Sequence, residues 1–333
     1  MKETRKYLAG AALLSTILAM TACGSGASEP GGTAGADGQC DLKTVKLLVS
    51  SEAGSPVDTM ARQVAESLKS SGFTPSVVIE TRTGGSGAVA MSALVGAPAD
   101  GATLYAMTRS QAVLFASGQL DSFKPDALEY LARLQDDPYA WVVQADSDFE
   151  TLDDLISYAQ KNPGKLNVGG FGAGSAHHLA ALSIADKTDI DINWVPFDGG
   201  SEAVTALLGG FVDVANTNPG QVLEQVRAGE LRVLGVASEE PVDGLPDTPT
   251  FTEAGVDYVG SHWRGVVAKA GMPTSCKELL ESSLTAAYED KGFQDLLVEQ
   301  NVSPGFMPSD EFASYVLGDI EESKQLLVDA GLD

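Results

Sequence analysis

From Val45 onward the chain alternates short apolar runs with longer stretches whose apolar positions recur at helical spacing. Val45 to Val49 reads as a buried strand, Val57 to Ser70 as an amphipathic helix, Val77 to Ile79 as a strand and Ala88 to Val95 as a helix. Thr103 to Met107, Asn167 to Gly169, Asn193 to Val195, Val212 to Ala215 and Val233 to Ala237 are further short strands followed by turns. Thr151-Leu152-Asp153-Asp154 has the spacing of a capping box, and Leu155, Ile156, Tyr158 and Ala159 supply an apolar face until Asn162-Pro163-Gly164 stops the helix. Another helix over Glu202 to Leu208 ends at Gly209-Gly210. Strand and helix alternate throughout, which predicts an α/β fold.

At 333 residues the chain exceeds the size of one ordinary domain, so two lobes are expected, with a cleft between them. Asp136-Asp137-Pro138 is the expected first crossing and the run from His262 to Lys269 the return. This division assigns residues 43–140 and 264–333 to a first lobe and 141–263 to a second. The end of the first lobe reads as helices over Lys277 to Asp290, Phe293 to Gln300 and Asp310 to Val328.

The first residues read as a processing signal. Lys2, Arg5 and Lys6 precede the apolar run Tyr7 to Met20, which is shorter than a membrane-spanning helix and ends in small residues before Cys23. Met20-Thr21-Ala22-Cys23 resembles a bacterial lipobox, which implies removal of residues 1–22 and a lipid on Cys23. Residues 23–42 then form a Gly- and Ser-rich tether. Loss of residues 1–22 takes away three basic residues and one acid, moving the formal charge from −25 to −27. Nucleic acid is excluded as a partner on that balance. With Cys23 lipidated, Cys40 and Cys276 remain, either as a disulfide or as two free thiols. Three cysteines cannot build a Cys-based zinc or iron–sulfur site, and adjacent His177 and His178 do not share a helix face. No metal and no cofactor are therefore expected.

Three strand-to-helix turns carry the candidate chemistry, because a helix N-terminus presents unpaired N–H groups to an anion. They are Ser50 to Asp58, Thr83-Gly84-Gly85-Ser86-Gly87, and Gly169 to His178. The third is glycine-rich, yet it lacks a phosphate-loop lysine and the G-x-G-x-x-G spacing. Neither Ser86 nor Ser175 sits in G-x-S-x-G, since Ala88 and His177 occupy the closing position, so a secreted serine hydrolase is the rival of another class. Arg109 and Ser110 follow the strand ending at Met107; Arg109 either reaches the cleft to grip a carboxylate or lies on the surface. Thr217 and Asn218 are further polar candidates from the second lobe, and Trp263 is either core or ligand platform.

Taken in order, these turns resemble one family, the substrate-binding subunits of tripartite tricarboxylate transporters, or Bug family. The resemblance runs over roughly Val45 to Asp319 and rests on Ala53-Gly54-Ser55-Pro56-Val57-Asp58-Thr59-Met60-Ala61-Arg62, Arg82-Thr83-Gly84-Gly85-Ser86-Gly87, Ala99-Asp100-Gly101-Ala102-Thr103-Leu104, Gly172-Ala173-Gly174-Ser175-Ala176-His177-His178, Val195-Pro196-Phe197, Leu245-Pro246-Asp247-Thr248-Pro249 and Trp263-Arg264-Gly265. It implies a two-lobed periplasmic-binding-protein-like fold that closes around a small organic acid, a di- or tricarboxylate, and delivers it to integral-membrane transporter subunits without chemistry. By position, Gly54, Ser55, Ser86 and Gly87 of one lobe and Ser175 with His178 of the other would contact the ligand, while Asp58 orders the first helix. Ala53 and Ser55 depart from the family's Pro and Gly, and Glu52 and Asp198 add acids where the pattern has none. A sensor or scavenger for an aromatic acid, amino acid or uncharged solute is the alternative role on the same fold.

Overall fold

The computed structural model describes residues 40–332 except Asp121, Ser122, Asp198, Asp243 and Asn301. Cys23, the signal and most of the tether thus lie outside the described residues, as does Asp198. Eleven strands and ten α-helices are described. In chain order the first part comprises β1 (Thr44–Val49), α1 (Pro56–Ser70), β2 (Ser76–Thr81), α2 (Ala88–Gly96), β3 (Thr103–Thr108), α3 (Arg109–Ala116) and β4 (Leu128–Asp136). The middle comprises β5 (Ala140–Gln144), α4 (Leu152–Lys161), β6 (Leu166–Phe171), α5 (Ala176–Thr188), β7 (Ile192–Phe197), α6 (Gly200–Leu208), β8 (Val214–Thr217), α7 (Leu223–Arg227) and β9 (Leu231–Val236). The last part comprises β10 (Arg264–Lys269), α8 (Thr274–Glu289), α9 (Lys291–Gln300), β11 (Ser303–Pro308) and α10 (Ser309–Asp329).

Two mixed sheets result, ordered β11-β4-β10-β3-β1-β2 and β7-β6-β8-β5-β9. Each is apolar on both faces. In the first, Leu47, Val49, Leu104 and Ala106 pack toward α1, α8 and α9, while Leu48, Tyr105 and Met107 pack toward α2, α3 and α10. In the second, Val168, Trp141 and Val214 meet α4 and α5 on one face, and Val142 and Ala215 meet α6 and α7 on the other. Strands covered on both faces need continuous apolar runs, which is why these segments stand out in the sequence.

The two sheets share one winding. β1 pairs parallel with β2 on one side and β3 on the other; β6 pairs parallel with β7 on one side and β8 on the other. Beside β3 lies β10, antiparallel, and beside β8 lies β5, antiparallel. Those two are the strands that have just crossed from the other sheet. Chain direction reverses outward from β1 and from β6, so each sheet has a topological switch point at the C-terminal end of its first strand, where open α/β sheets bind ligands.

Both crossings lie at that same edge. Arg264, which opens β10, pairs with Thr108 at the end of β3, and Ala140, which opens β5, pairs with Thr217 at the end of β8. Only Asp137, Pro138 and Tyr139 separate β4 from β5. A connection so short holds the two C-terminal edges against one another. Cys40 and Cys276 are joined as a disulfide, fixing the start of the described chain to the first turn of α8.

Candidate functional site

Each switch point carries a turn built on the same plan. After β1, Ser55 caps α1, its Oγ accepting the Asp58 N–H at 3.3 Å, while Asp58 Oδ2 reaches back to accept the Gly54 N–H at 2.8 Å. After β6, Ser175 caps α5, its Oγ accepting the His178 N–H at 3.1 Å, while His178 Nδ1 accepts the Gly174 N–H at 3.0 Å. Gly54 and Gly174 have φ of 84° and 68°, a region that glycine enters without strain. The shared spacing Gly-Ser-x-x-acceptor was present in the sequence, and reading the two stretches separately conceals it.

Their acceptors differ in charge. The Asp58 carboxylate is buried and held below its ordinary range by Arg62, which donates from Nε at 2.8 Å and Nη2 at 3.0 Å, and further by the Gly54 N–H. Burial depresses the His178 imidazole to about 4. At neutral pH it is uncharged, and because Nδ1 accepts from Gly174 its proton resides on Nε2. Its ring stacks on Trp194 with centroids 4.7 Å apart. A Cβ on Gly170 would collide with that indole, which explains the glycine at the end of β6.

The turn after β2 is a 3₁₀ segment, Gly85–Gly87, with Ser86 at φ 52° and Gly87 at 106°. Gln111 holds it: its Nε2 donates to the Ser86 carbonyl at 2.8 Å, while its Oε1 accepts the Thr108 N–H and completes the cap of α3. A Cβ on Gly87 would lie 2.5 Å from Gln111 Nε2 and 2.7 Å from the Tyr105 hydroxyl, so this position too must be glycine. Ser110 donates its N–H to Thr108 Oγ1. Gln111, which nothing in the local pattern singled out, is thus the residue that shapes the Ser86 turn.

Other candidates serve the scaffold. Arg109 neither reaches for a ligand nor lies on the surface: its guanidinium is buried, bound to Asp319 at 2.9 Å, and donates from Nη1 to the Tyr139 hydroxyl and the Ala176 carbonyl. It therefore ties the start of α3 to the start of α5, so the two edges meet. Trp263 is fully buried and donates Nε1 to Asp319 Oδ2, placing it in the core. Thr217 Oγ1 donates to Gln221 Oε1, and Asn218 donates to the Asp137 and Pro138 carbonyls while its Oδ1 meets His177 Nε2 at 3.1 Å. The Ser175 hydroxyl donates to the Phe171 carbonyl, and the His178 imidazole accepts from Gly174 rather than from a serine.

Cations at these edges are already matched. Arg62, Arg82, Arg109, Arg133, Arg227 and Arg264 are each paired with a carboxylate, and Arg232 donates to the Ala145 and Phe149 carbonyls. Segments 50–58, 82–88, 109–111, 172–178, 199–202 and 218–221 contain no lysine. The Gly54, Ser55, Asp58, Gly87, Gly174 and His178 N–H groups are bound within their own turns, so what these segments offer an anion is the remaining N–H groups at the helix starts, together with hydroxyls and the His178 Nε2–H.

Comparison with known proteins agrees with this architecture. The chain aligns with a solute-binding protein of the TctC type from Polaromonas at TM-score 0.78 and 25% identity, over 86% of this chain and 98% of that one. An R. palustris protein solved with adipate aligns at TM-score 0.70 and 27% identity, over 86% and 97%. BugT of Bordetella pertussis is 28% identical over 283 residues, 84% of this chain and 86% of its own. The model of the tripartite tricarboxylate transporter family receptor matches residues 60–332. The chain belongs to the tripartite tricarboxylate transporter receptor family, and is a two-lobed α/β solute-binding protein.

Proposed function

We propose that this protein captures a small organic acid, of the di- or tricarboxylate class, between the turns that follow β1, β2 and β6, and presents it to membrane transporter subunits without altering it. The observation that carries the reading is the pair of matching turns, Gly54-Ser55 on α1 and Gly174-Ser175 on α5, at the switch points of two sheets whose edges the three-residue crossing and the Arg109–Ala176 hydrogen bond join. Because the nearby arginines are matched by acids and the Gly87 N–H is spent on the Gly84 carbonyl, the ligand carboxylates are held by other neutral donors, Ser86 among them, and rotation about the crossings closes the lobes over them. A Rhodopseudomonas palustris protein of the same fold holds malate, and the R. palustris relative above holds adipate. The lipobox-like Met20 to Cys23 supports an extracytoplasmic location with lipid on Cys23.

A thermal-shift screen over a carboxylate panel tests the ligand class, since a ligand that binds only the native state raises its melting temperature. Stabilisation by at least one small carboxylate is expected. A flat response across the panel, with stabilisation by a neutral or cationic solute, would overturn the reading. Mass spectrometry of the mature chain checks the anchor: a diacylglyceryl mass on Cys23 is expected, and an unmodified thiol there would refute it.

A further inference from the structure

The two crossings form a small buried polar junction that the binding account leaves unused. Tyr139 donates its N–H to the Gly260 carbonyl and His262 to the Asp137 carbonyl at 2.8 Å, Pro138 bridges Ser261, and Arg264 Nη2 binds Asp137 Oδ2 at 3.1 Å. Onto this junction α5 lays His177, whose ring stacks on His262 with centroids 5.5 Å apart and meets Tyr139 edge-on at 5.0 Å.

The tautomer of His177 follows from its neighbours. The Asn218 amide nitrogen is committed to two carbonyls of the first crossing, so its oxygen faces His177 and Nε2 must be the protonated nitrogen. His177 Nδ1, like His262 Nδ1, is fully occluded and has no hydrogen-bond partner. A proton on either atom would be a buried donor with no acceptor. Arg109 and Arg264 both add positive charge beside the rings, and Asp137, the acid facing them, is engaged by Arg264; Asp136 is taken by Arg133 and Ser261, and Asp319 by Arg109.

We infer that the stacked His177 and His262 form a proton-sensitive latch at the lobe junction: both rings must be neutral for the lobes to hold this arrangement, so acidification favours opening and release of the ligand. Release of a ligand, unlike opening, rests on the binding reading. Desolvation holds the His177 imidazole at about 4 and His262 well below its ordinary value, whereas a water-exposed ring titrates near 6.5. The sign follows. Below about pH 6.5 the opened arrangement binds more protons, so each unit of acidification favours it by up to about tenfold per ring. Burial pushes the Asp137 carboxyl upward, so its protonation in the closed arrangement offsets part of that gain.

Two measurements on the full chain test this. Hydrogen exchange, corrected for the intrinsic pH effect, is expected to show protection at residues 260–264 falling between pH 7.5 and 5.5, and falling less in His177→Phe and in His262→Gln. Calorimetry with adipate at pH 6.5 in two buffers of different ionisation enthalpy is expected to show net proton release, up to about one per adipate bound, as half-protonated rings are neutralised and Asp137 takes back a part. Unchanged protection down to pH 5.5, or adipate binding with no proton release, would overturn the latch and leave the ligand reading standing. Loss of protection without binding of any carboxylate would uphold the latch and overturn the ligand reading instead.

Discussion

The turns on α1 and α5 have the same backbone plan and differ in the charge of the acceptor that holds it. On α1 the acceptor that fixes the glycine N–H is a carboxylate, so the positive end of that helix already faces a negative charge, itself answered by Arg62. On α5 the acceptor is a neutral imidazole, and the helix end keeps its full attraction for an outside anion. Identical geometry therefore does not mean equal affinity. On the proposed reading the second-lobe turn is expected to be the stronger anion holder, and the first-lobe turn to contribute mainly shape.

The largest way to break this comparison is through the partner of Arg109. Asp319→Ala leaves a buried guanidinium uncompensated and should cost about 3–5 kcal/mol in chemical denaturation. Because Arg109 also holds the Ala176 carbonyl, hydrogen exchange should rise at the α5 turn more than at the α1 turn; an equal rise at both would contradict the link. Acid should separate the turns next. The fold favours neutral His178, so its contribution is complete above about pH 6.5 and is lost as pH falls toward 4, on the order of 3 kcal/mol in all. The Asp58 carboxyl is lowered, so its contribution holds throughout that range and fades only below the ordinary carboxylate values. Amide exchange at pH 5 should thus rise at Gly174 before Gly54, and His178→Gln should remove the difference.

Smaller changes sharpen the picture. Gly170→Ala pushes Trp194 off His178 and should cost about 1–3 kcal/mol, read as a lower denaturation midpoint. Ser175→Ala should cost more than Ser55→Ala, each about 1 kcal/mol, because Ser175 also donates to the Phe171 carbonyl. Asp58→Asn should lower stability by only about 0.3–1 kcal/mol, yet tighten adipate binding by calorimetry, since it frees the α1 end from its own anion. Unchanged binding would show that the α1 turn takes no part, and weaker binding that Asp58 serves by ordering the turn rather than by opposing the anion.

Much of this was legible in the sequence because local rules produced it. The central strands β1 and β3 are largely apolar runs, and the α4 capping box sits where Thr151 and Asp154 place it. What escaped depends on distant partners. Arg109 meets Asp319 across 210 positions, so its charge looked available for a ligand. β4 runs through Glu129, Arg133 and Asp136 with no clean alternation, and it and β5 are set by their neighbours β10 and β8. β11, Ser-Pro-Gly-Phe-Met-Pro, falls between the helices expected over Phe293 to Gln300 and Asp310 to Val328, with no strand pattern of its own; it is a strand because it pairs on one edge only, where proline is tolerated. The link between Cys40 and Cys276 spans 236 positions and was one of two open outcomes.

The central claim is that a carboxylate is held between the two matching turns. Backbone amide NMR during titration with adipate tests it directly. The account predicts saturable shifts at Gly54, Ser86, Gly87, Ser175 and Ala176, largest on α5. Saturable binding with those amides unmoved and shifts clustered elsewhere would contradict it.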